Sequence, residues 1–154
     1  MNLVNRFFSN NKVDCPRCLG KGEVNWDDIR RLKKELKWLP GPCAYCLGKA
    51  KVYSDFQSKI DIDCTYLTTD LSTAERKKLI ANDEGARQRA LYHDIKTDCF
   101  ISEIKYLHFS CKVNSAKIAG FYLLNQNSST TDSNENNELI EYIEKVISLK
   151  NEQQ

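Results

Sequence analysis

Four of the seven cysteines in this 154-residue chain fall into two pairs, Cys15-Pro16-Arg17-Cys18 and Cys43-Ala44-Tyr45-Cys46. A two-residue gap lets both thiols of a pair turn toward one point. Two such pairs supply four soft anionic donors, the donor set of a closed tetrahedral site. The expected ion is one structural zinc per chain, held by Cys15, Cys18, Cys43 and Cys46, with no position open to substrate. Cys64, Cys99 and Cys111 have no such partner in sequence and are expected to behave as small buried apolar side chains. A second site from Cys99, His108 and Cys111 lacks a fourth ligand. A closed tetrathiolate leaves no free nucleophile, so thiol–disulfide chemistry is the last-ranked activity. No phosphate-binding glycine loop, His-Glu-x-x-His or Gly-x-Ser-x-Gly string accompanies the cysteines. No enzymatic activity and no catalytic residue are therefore expected.

The two pairs are part of a longer repeat. Residues 15–24 and 43–52 share Leu-Gly-Lys after the second cysteine and a closing valine. The chain must reverse sharply there, and Gly20 and Gly48 can take the positive φ this requires. The repeat resembles the cysteine-rich zinc region of the DnaJ (Hsp40) co-chaperone family, where Cys-x-x-Cys-x-Gly-x-Gly units share zinc ions in pairs. The first copy matches at Cys15, Cys18, Gly20 and Gly22. The second matches at Cys43, Cys46 and Gly48 and has Ala50 in place of the last glycine. The resemblance covers about residues 13–54, and two repeats instead of four imply one zinc. It implies zinc hairpins that contact a protein client or partner. It does not imply activation of an Hsp70, because Tyr92-His93-Asp94 lacks the proline of the family's His-Pro-Asp and lies downstream of the cysteines. There is also no J-domain and no Gly/Phe-rich linker.

Four segments must position this site. Residues 1–12 read as an N-terminal arm. Residues 13–54 are the zinc module, with a helix over 27–39 inserted between its halves, capped by Asn25 and striped by Ile29, Leu32, Leu36 and Leu39. Trp26 and Trp38 are expected to join that helix to the cysteine turns. Residues 55–69 read as an extended linker or strand, because Ile60, Ile62, Cys64 and Tyr66 alternate with polar residues. Residues 70–150 read as a helical domain. It opens on the capping-box spacing Ser72-Thr73-Ala74-Glu75 and continues through an inner face of Leu91, Ile95, Ile101, Ile104 and Leu107. Asn114 or Ser115 caps the next helix, and a last one presents Ile140, Ile143 and Ile147. A mobile loop over 125–137, free of apolar residues, interrupts it. The fold class is a small zinc-hairpin module followed by a mainly α-helical domain, α with minor β.

The net charge of +2 hides an asymmetry: residues 1–54 carry 11 Lys/Arg against 5 Asp/Glu. Four thiolates and a divalent ion reduce that excess by two. Arg17, Arg30, Arg31, Lys33, Lys34 and Lys37 form a candidate nucleic-acid surface, although aromatics for stacking bases are sparse. The leading expectation is a cytoplasmic, zinc-stabilised adaptor or specialised chaperone-like protein with a protein partner. The alternative is a nucleic-acid-binding zinc protein using the basic helix. No stretch approaches the roughly 20 apolar residues of a membrane helix, so no membrane partner is expected. The N-terminal residues are too polar for a signal peptide.

Overall fold

Each repeat contributes a strand before and after its cysteine turn, and each strand pairs with the other repeat. The computed structural model describes residues 11–125 and 133–151. The first repeat gives β1 (Lys12–Asp14) and β2 (Glu23–Val24), the second β3 (Gly41–Pro42) and β4 (Lys51–Tyr53). β1 pairs antiparallel with β4, setting Val13 opposite Val52, and β2 pairs with β3, setting Glu23 opposite Pro42. Two bonds finish the exchange: the Cys15 amide donates to Ala50 O at 2.7 Å and the Cys43 amide to Gly22 O at 3.0 Å. The repeats are thus related by an approximate two-fold, with the four cysteines between them. The expected arm lies outside the described residues up to position 10. Its last residue, Lys12, belongs to β1.

The inserted helix is shorter than its apolar stripe suggests. α1 (Trp26–Arg31) begins with Asn25, whose side chain caps the Asp28 amide while Asp28 caps the Asn25 amide in return. It ends because Lys33 adopts φ +56°, with the Lys33 amide on Arg30 O and the Lys34 amide on Ile29 O. That is a Schellman stop made without glycine. The expected helix over 27–39 is therefore corrected. Beyond Lys33 the chain turns, Trp38 is buried and Leu39 stays 78% exposed. A continuous helix would sacrifice burial of the indole, the larger apolar surface.

The segment 55–69 is not a strand either. It contains α2 (Phe56–Lys59) followed by turns. Its carbonyls find side-chain partners instead of a neighbouring strand: Ile60 O accepts from the Tyr45 hydroxyl, and Ile62, Cys64 and Leu67 O accept from Arg17. Ile60 and Leu67 join Val24, Ala44, Tyr45, Val52 and the four cysteines in one core, with Phe56, Leu71 and Ile80 packed on it.

The helices that follow are α3 (Thr73–Ile80), α4 (Glu84–Lys105), α5 (Ser115–Asn125) and α6 (Ser133–Asn151). The expected caps form: Ser72 accepts from the Glu75 amide at 3.2 Å and Asn114 from the Lys117 amide at 2.9 Å. The chain divides into two compact units, Met1–Asp94 and Ile95–Gln154, so the first extends well past residue 54 and the boundary falls inside α4. In the first unit α3 and α4 meet through Leu79, Ala86 and Ala90. In the second, Ile101, Ile104, Ile118, Ala119, Ile143 and Val146 are buried, and Phe100 meets the rings of Tyr122 and Tyr142. Of the inner face expected on α4, Ile101 and Ile104 are buried, whereas Leu91 and Ile95 are each 51% exposed. α4 gives way to a π-helical turn at Tyr106–Ser110, which ends the helical register. The expected loop over 125–137 is shorter than its composition suggests: Asn125 closes α5, 133–137 open α6, and 126–132 lie outside the described residues. Among the described residues no helix is long and apolar enough to cross a membrane.

Candidate metal centre

The sulfurs of Cys15, Cys18, Cys43 and Cys46 all lie within 4.8 Å of one another, and all four residues are buried. The turns that bring them there are near copies. Leu19 and Leu47 have φ +53° and +55°, Gly20 and Gly48 +78° and +72°, Gly22 and Ala50 +81° and +64°. The Gly20 amide returns to Cys15 O and the Gly48 amide to Cys43 O, at 3.2 and 3.0 Å. A Cβ at Gly22 would sit 2.7 Å from Gly48 O, so the glycine is required there.

The spacing fits an ion. A tetrahedral tetrathiolate with metal–sulfur bonds of about 2.3 Å has sulfurs about 3.8 Å apart. Cys15–Cys43 and Cys18–Cys46 are each 3.8 Å apart. The Gly22 amide donates to the Cys18 sulfur at 3.2 Å, a bond that stabilises a thiolate. Crowding splits the acidities of the thiols. The hydrogen bond from Cys43 holds the Cys15 thiol down, to about 5, against burial. The same bond, and then burial, drive the Cys43 thiol far up, and burial raises Cys18. Four buried thiolates this close repel one another, and a divalent cation at their centre stabilises all of them together. The four side chains can hold one metal ion. Among the described residues no other group of His, Cys, Asp or Glu approaches this arrangement.

Arg17, a member of the candidate nucleic-acid surface, lies inside the fold. Arg17 is 2% exposed, and its guanidinium donates to Ile62 O, Leu67 O and Cys64 O at 2.9, 2.8 and 3.0 Å. It also lies over Trp38 and Tyr45, 4.2 and 5.3 Å from the ring centroids. Burial lowers its pKa, opposed by the Cys43, Cys64 and Cys15 sulfurs. It is an internal tie, closed to phosphate. The indole of Trp38 donates to Thr65 O at 3.0 Å, extending the same connection.

The other basic candidates are largely committed. Arg31 donates to Pro16 O and Arg17 O and pairs with Asp28, Lys37 pairs with Asp94 at 2.5 Å, and Arg30 pairs with Asp27. Lys33 and Lys34 lie beyond the end of α1 on the turn. The basic helix over 27–39 therefore does not exist as one cationic face. Arg76, which sequence analysis passed over, donates to Ala44 O and Tyr45 O from α3. Nothing in its own sequence neighbourhood signals that role, since the accepting carbonyls lie about thirty residues away.

Cys64 is half-buried, and Cys99 and Cys111 are exposed rather than buried as expected, because α4 and the turn after it present those positions to solvent. His108 Nδ1 is 3.0 Å from Val113 O, a backbone partner, and it joins no cysteine cluster.

Comparison with known proteins yields no matching family model, no matching curated protein and no matching solved structure.

Proposed function

We propose that Cys15, Cys18, Cys43 and Cys46 hold one structural zinc and that the resulting DnaJ-like hairpin pair is the contact surface of a cytoplasmic protein-binding adaptor or specialised chaperone-like protein. The zinc assignment is supported by an all-thiolate donor set within 4.8 Å, two of whose sulfur pairs are 3.8 Å apart, which suits a soft tetrahedral ion. A closed set of four buried ligands fits a structural role. The protein does not activate an Hsp70 by the family's known route, since the His-Pro-Asp string is missing.

The observation that carries the binding role is the pair Leu19 and Leu47. Both follow the second cysteine of a turn, both adopt left-handed backbone, and both are exposed, at 60% and 52%. A left-handed leucine costs about 1–2 kcal/mol, and at this exposure burial of the side chain offsets only part of it. Retention of apolar side chains at two equivalent strained tips is a reason to assign them contact with an apolar partner segment. The nucleic-acid reading is disfavoured by the burial of Arg17 and by the engagement of Arg31 and Lys37 with groups of the fold.

The test is an aggregation assay on a chemically unfolded model protein. The zinc-loaded chain slows aggregation, and the Leu19→Ser/Leu47→Ser variant loses this effect while retaining its metal. Equal protection by that variant overturns the role given to the leucines. Sub-micromolar, salt-steep binding of RNA or DNA, abolished when Lys33 and Lys34 become Glu, overturns the adaptor reading in favour of the alternative.

A further inference from the structure

Two arginines from different parts of the chain meet the two cysteine turns in the same way. On the first turn, Arg31 donates to Pro16 O at 3.3 Å and to Arg17 O at 2.7 Å. On the second, Arg76 donates to Ala44 O at 3.2 Å and to Tyr45 O at 2.6 Å. Pro16 and Ala44 are equivalent in the repeat, and so are Arg17 and Tyr45. Arg31 comes from the end of α1 and Arg76 from α3. The match is therefore not inherited from the repeat itself; two unrelated segments converge on it.

The peptides that accept these bonds are the ones that span each Cys-x-x-Cys turn. The Pro16 carbonyl shares its peptide with the Arg17 N–H, and the Arg17 carbonyl with the Cys18 N–H. Successive N–H groups of a Cys-x-x-Cys turn form a nest that suits an anionic sulfur. On the second turn the Tyr45 carbonyl shares its peptide with the Cys46 N–H, the equivalent position of the repeat. A cation at a carbonyl oxygen polarises the peptide and strengthens its N–H as a donor. Each guanidinium thus acts on one sulfur through an intervening peptide. Positive charge at the turns suits a tetrathiolate around a divalent ion, which carries −2.

We propose that Arg31 and Arg76 are a matched pair of positioning residues for the metal centre. They withdraw charge from the Cys15 and Cys43 thiolates through the turn peptides and so set how tightly the ion is held. The inference rests on the metal reading and goes beyond it, since ligand identity alone assigns neither arginine a part.

The test uses the full chain loaded with cobalt(II), whose thiolate-to-metal charge-transfer band reports electron density on sulfur, together with affinity from chelator competition. Arg31→Gln and Arg76→Gln each weaken cobalt binding by about tenfold or more, the usual effect of removing an outer partner of a metal ligand. Each also moves the band to lower energy, because the sulfur becomes more electron-rich. Should a Gln variant fail to fold, Arg31→Lys and Arg76→Lys carry the test. They keep the charge but lose the planar guanidinium, giving a smaller shift in the same direction. Affinity within twofold of wild type overturns the proposal. Weakened affinity with an unmoved band also overturns it, because that is what loss of packing alone produces. A wild-type chain that takes up no cobalt overturns the metal reading, and this inference falls with it.

Discussion

Replacing Arg17 by alanine removes three charge-assisted hydrogen bonds, to Ile62, Leu67 and Cys64, and the stack on Trp38. Hydrogen bonds to charged groups are worth about 1.5–3 kcal/mol each, which gives a gross loss of roughly 4–9 kcal/mol. Two terms reduce it. The wild type spends several kcal/mol desolvating the guanidinium, and the variant does not. The bonds to Ile62 and Cys64 are only partly buried, so water reaches those carbonyls once the arginine is gone. A net loss of about 3 kcal/mol remains. In a unit ending at Asp94 this lowers the melting temperature by about 12–24 °C. The assay is thermal unfolding at saturating metal, followed by tryptophan fluorescence, with Trp38 as the local reporter. Arg17→Lys keeps the charge but cannot span three carbonyls, so it recovers less than half of the loss. A melting temperature for Arg17→Ala within about 5 °C of wild type would refute the view that Arg17 ties residues 62–67 to the first cysteine turn.

Three other outcomes follow from the same geometry. Cys18→Ser or Cys46→Ser unfolds the first unit through Ile80, because Ile60, Leu67 and Ile80 pack on the cysteine core; α5 and α6 keep their helical circular dichroism, and complete loss of helix would show one cooperative unit. Gly22→Ala, with φ +81° and a 2.7 Å approach to a backbone oxygen, costs about 3 kcal/mol in denaturant titration, against about 1 kcal/mol for Gly48→Ala, whose nearest neighbour is 3.7 Å away; equal costs would contradict the packing described. Tyr122, whose hydroxyl donates to Glu103 at 2.5 Å, has its pKa raised by burial and then by that carboxylate. A raised folded pKa means its contribution is intact below the unfolded value near 10 and fades as pH rises through the folded value. Urea titrations of wild type and Tyr122→Phe at pH 8 and pH 11 should therefore show a larger alkaline loss in wild type, and parallel losses would dismiss the Tyr122 contribution.

What was legible in the sequence was local. The cysteine spacing identified the four sulfurs that cluster, the glycines marked backbone that does turn left-handed, and Asn25, Ser72 and Asn114 capped the helices they were expected to cap. Each depends on a few neighbouring residues and survives any tertiary arrangement. What was illegible was set by distant partners. The role of Arg17 as a tie to residues 62–67 is not legible locally because its three acceptors lie 45–50 residues further on. Ile29, Leu32, Leu36 and Leu39 fit one helical face, yet the local Schellman stop and the burial of Trp38 outweigh that periodicity. The alternating residues of 55–69 mimic a strand, but their carbonyls are claimed by Arg17 and Tyr45, so no ladder partner is needed. The same docking carries the first unit's boundary from the end of the repeat into α4.

The central claim is that one zinc sits among these four sulfurs, and X-ray absorption at the zinc edge of the purified protein tests it most directly. The account predicts one zinc per chain with four sulfur neighbours at about 2.3 Å and no shorter shell. A shell of nitrogen or oxygen at about 2.0–2.1 Å, or zinc that stays in full amount after Cys18→Ser and Cys46→Ser are combined, would contradict it.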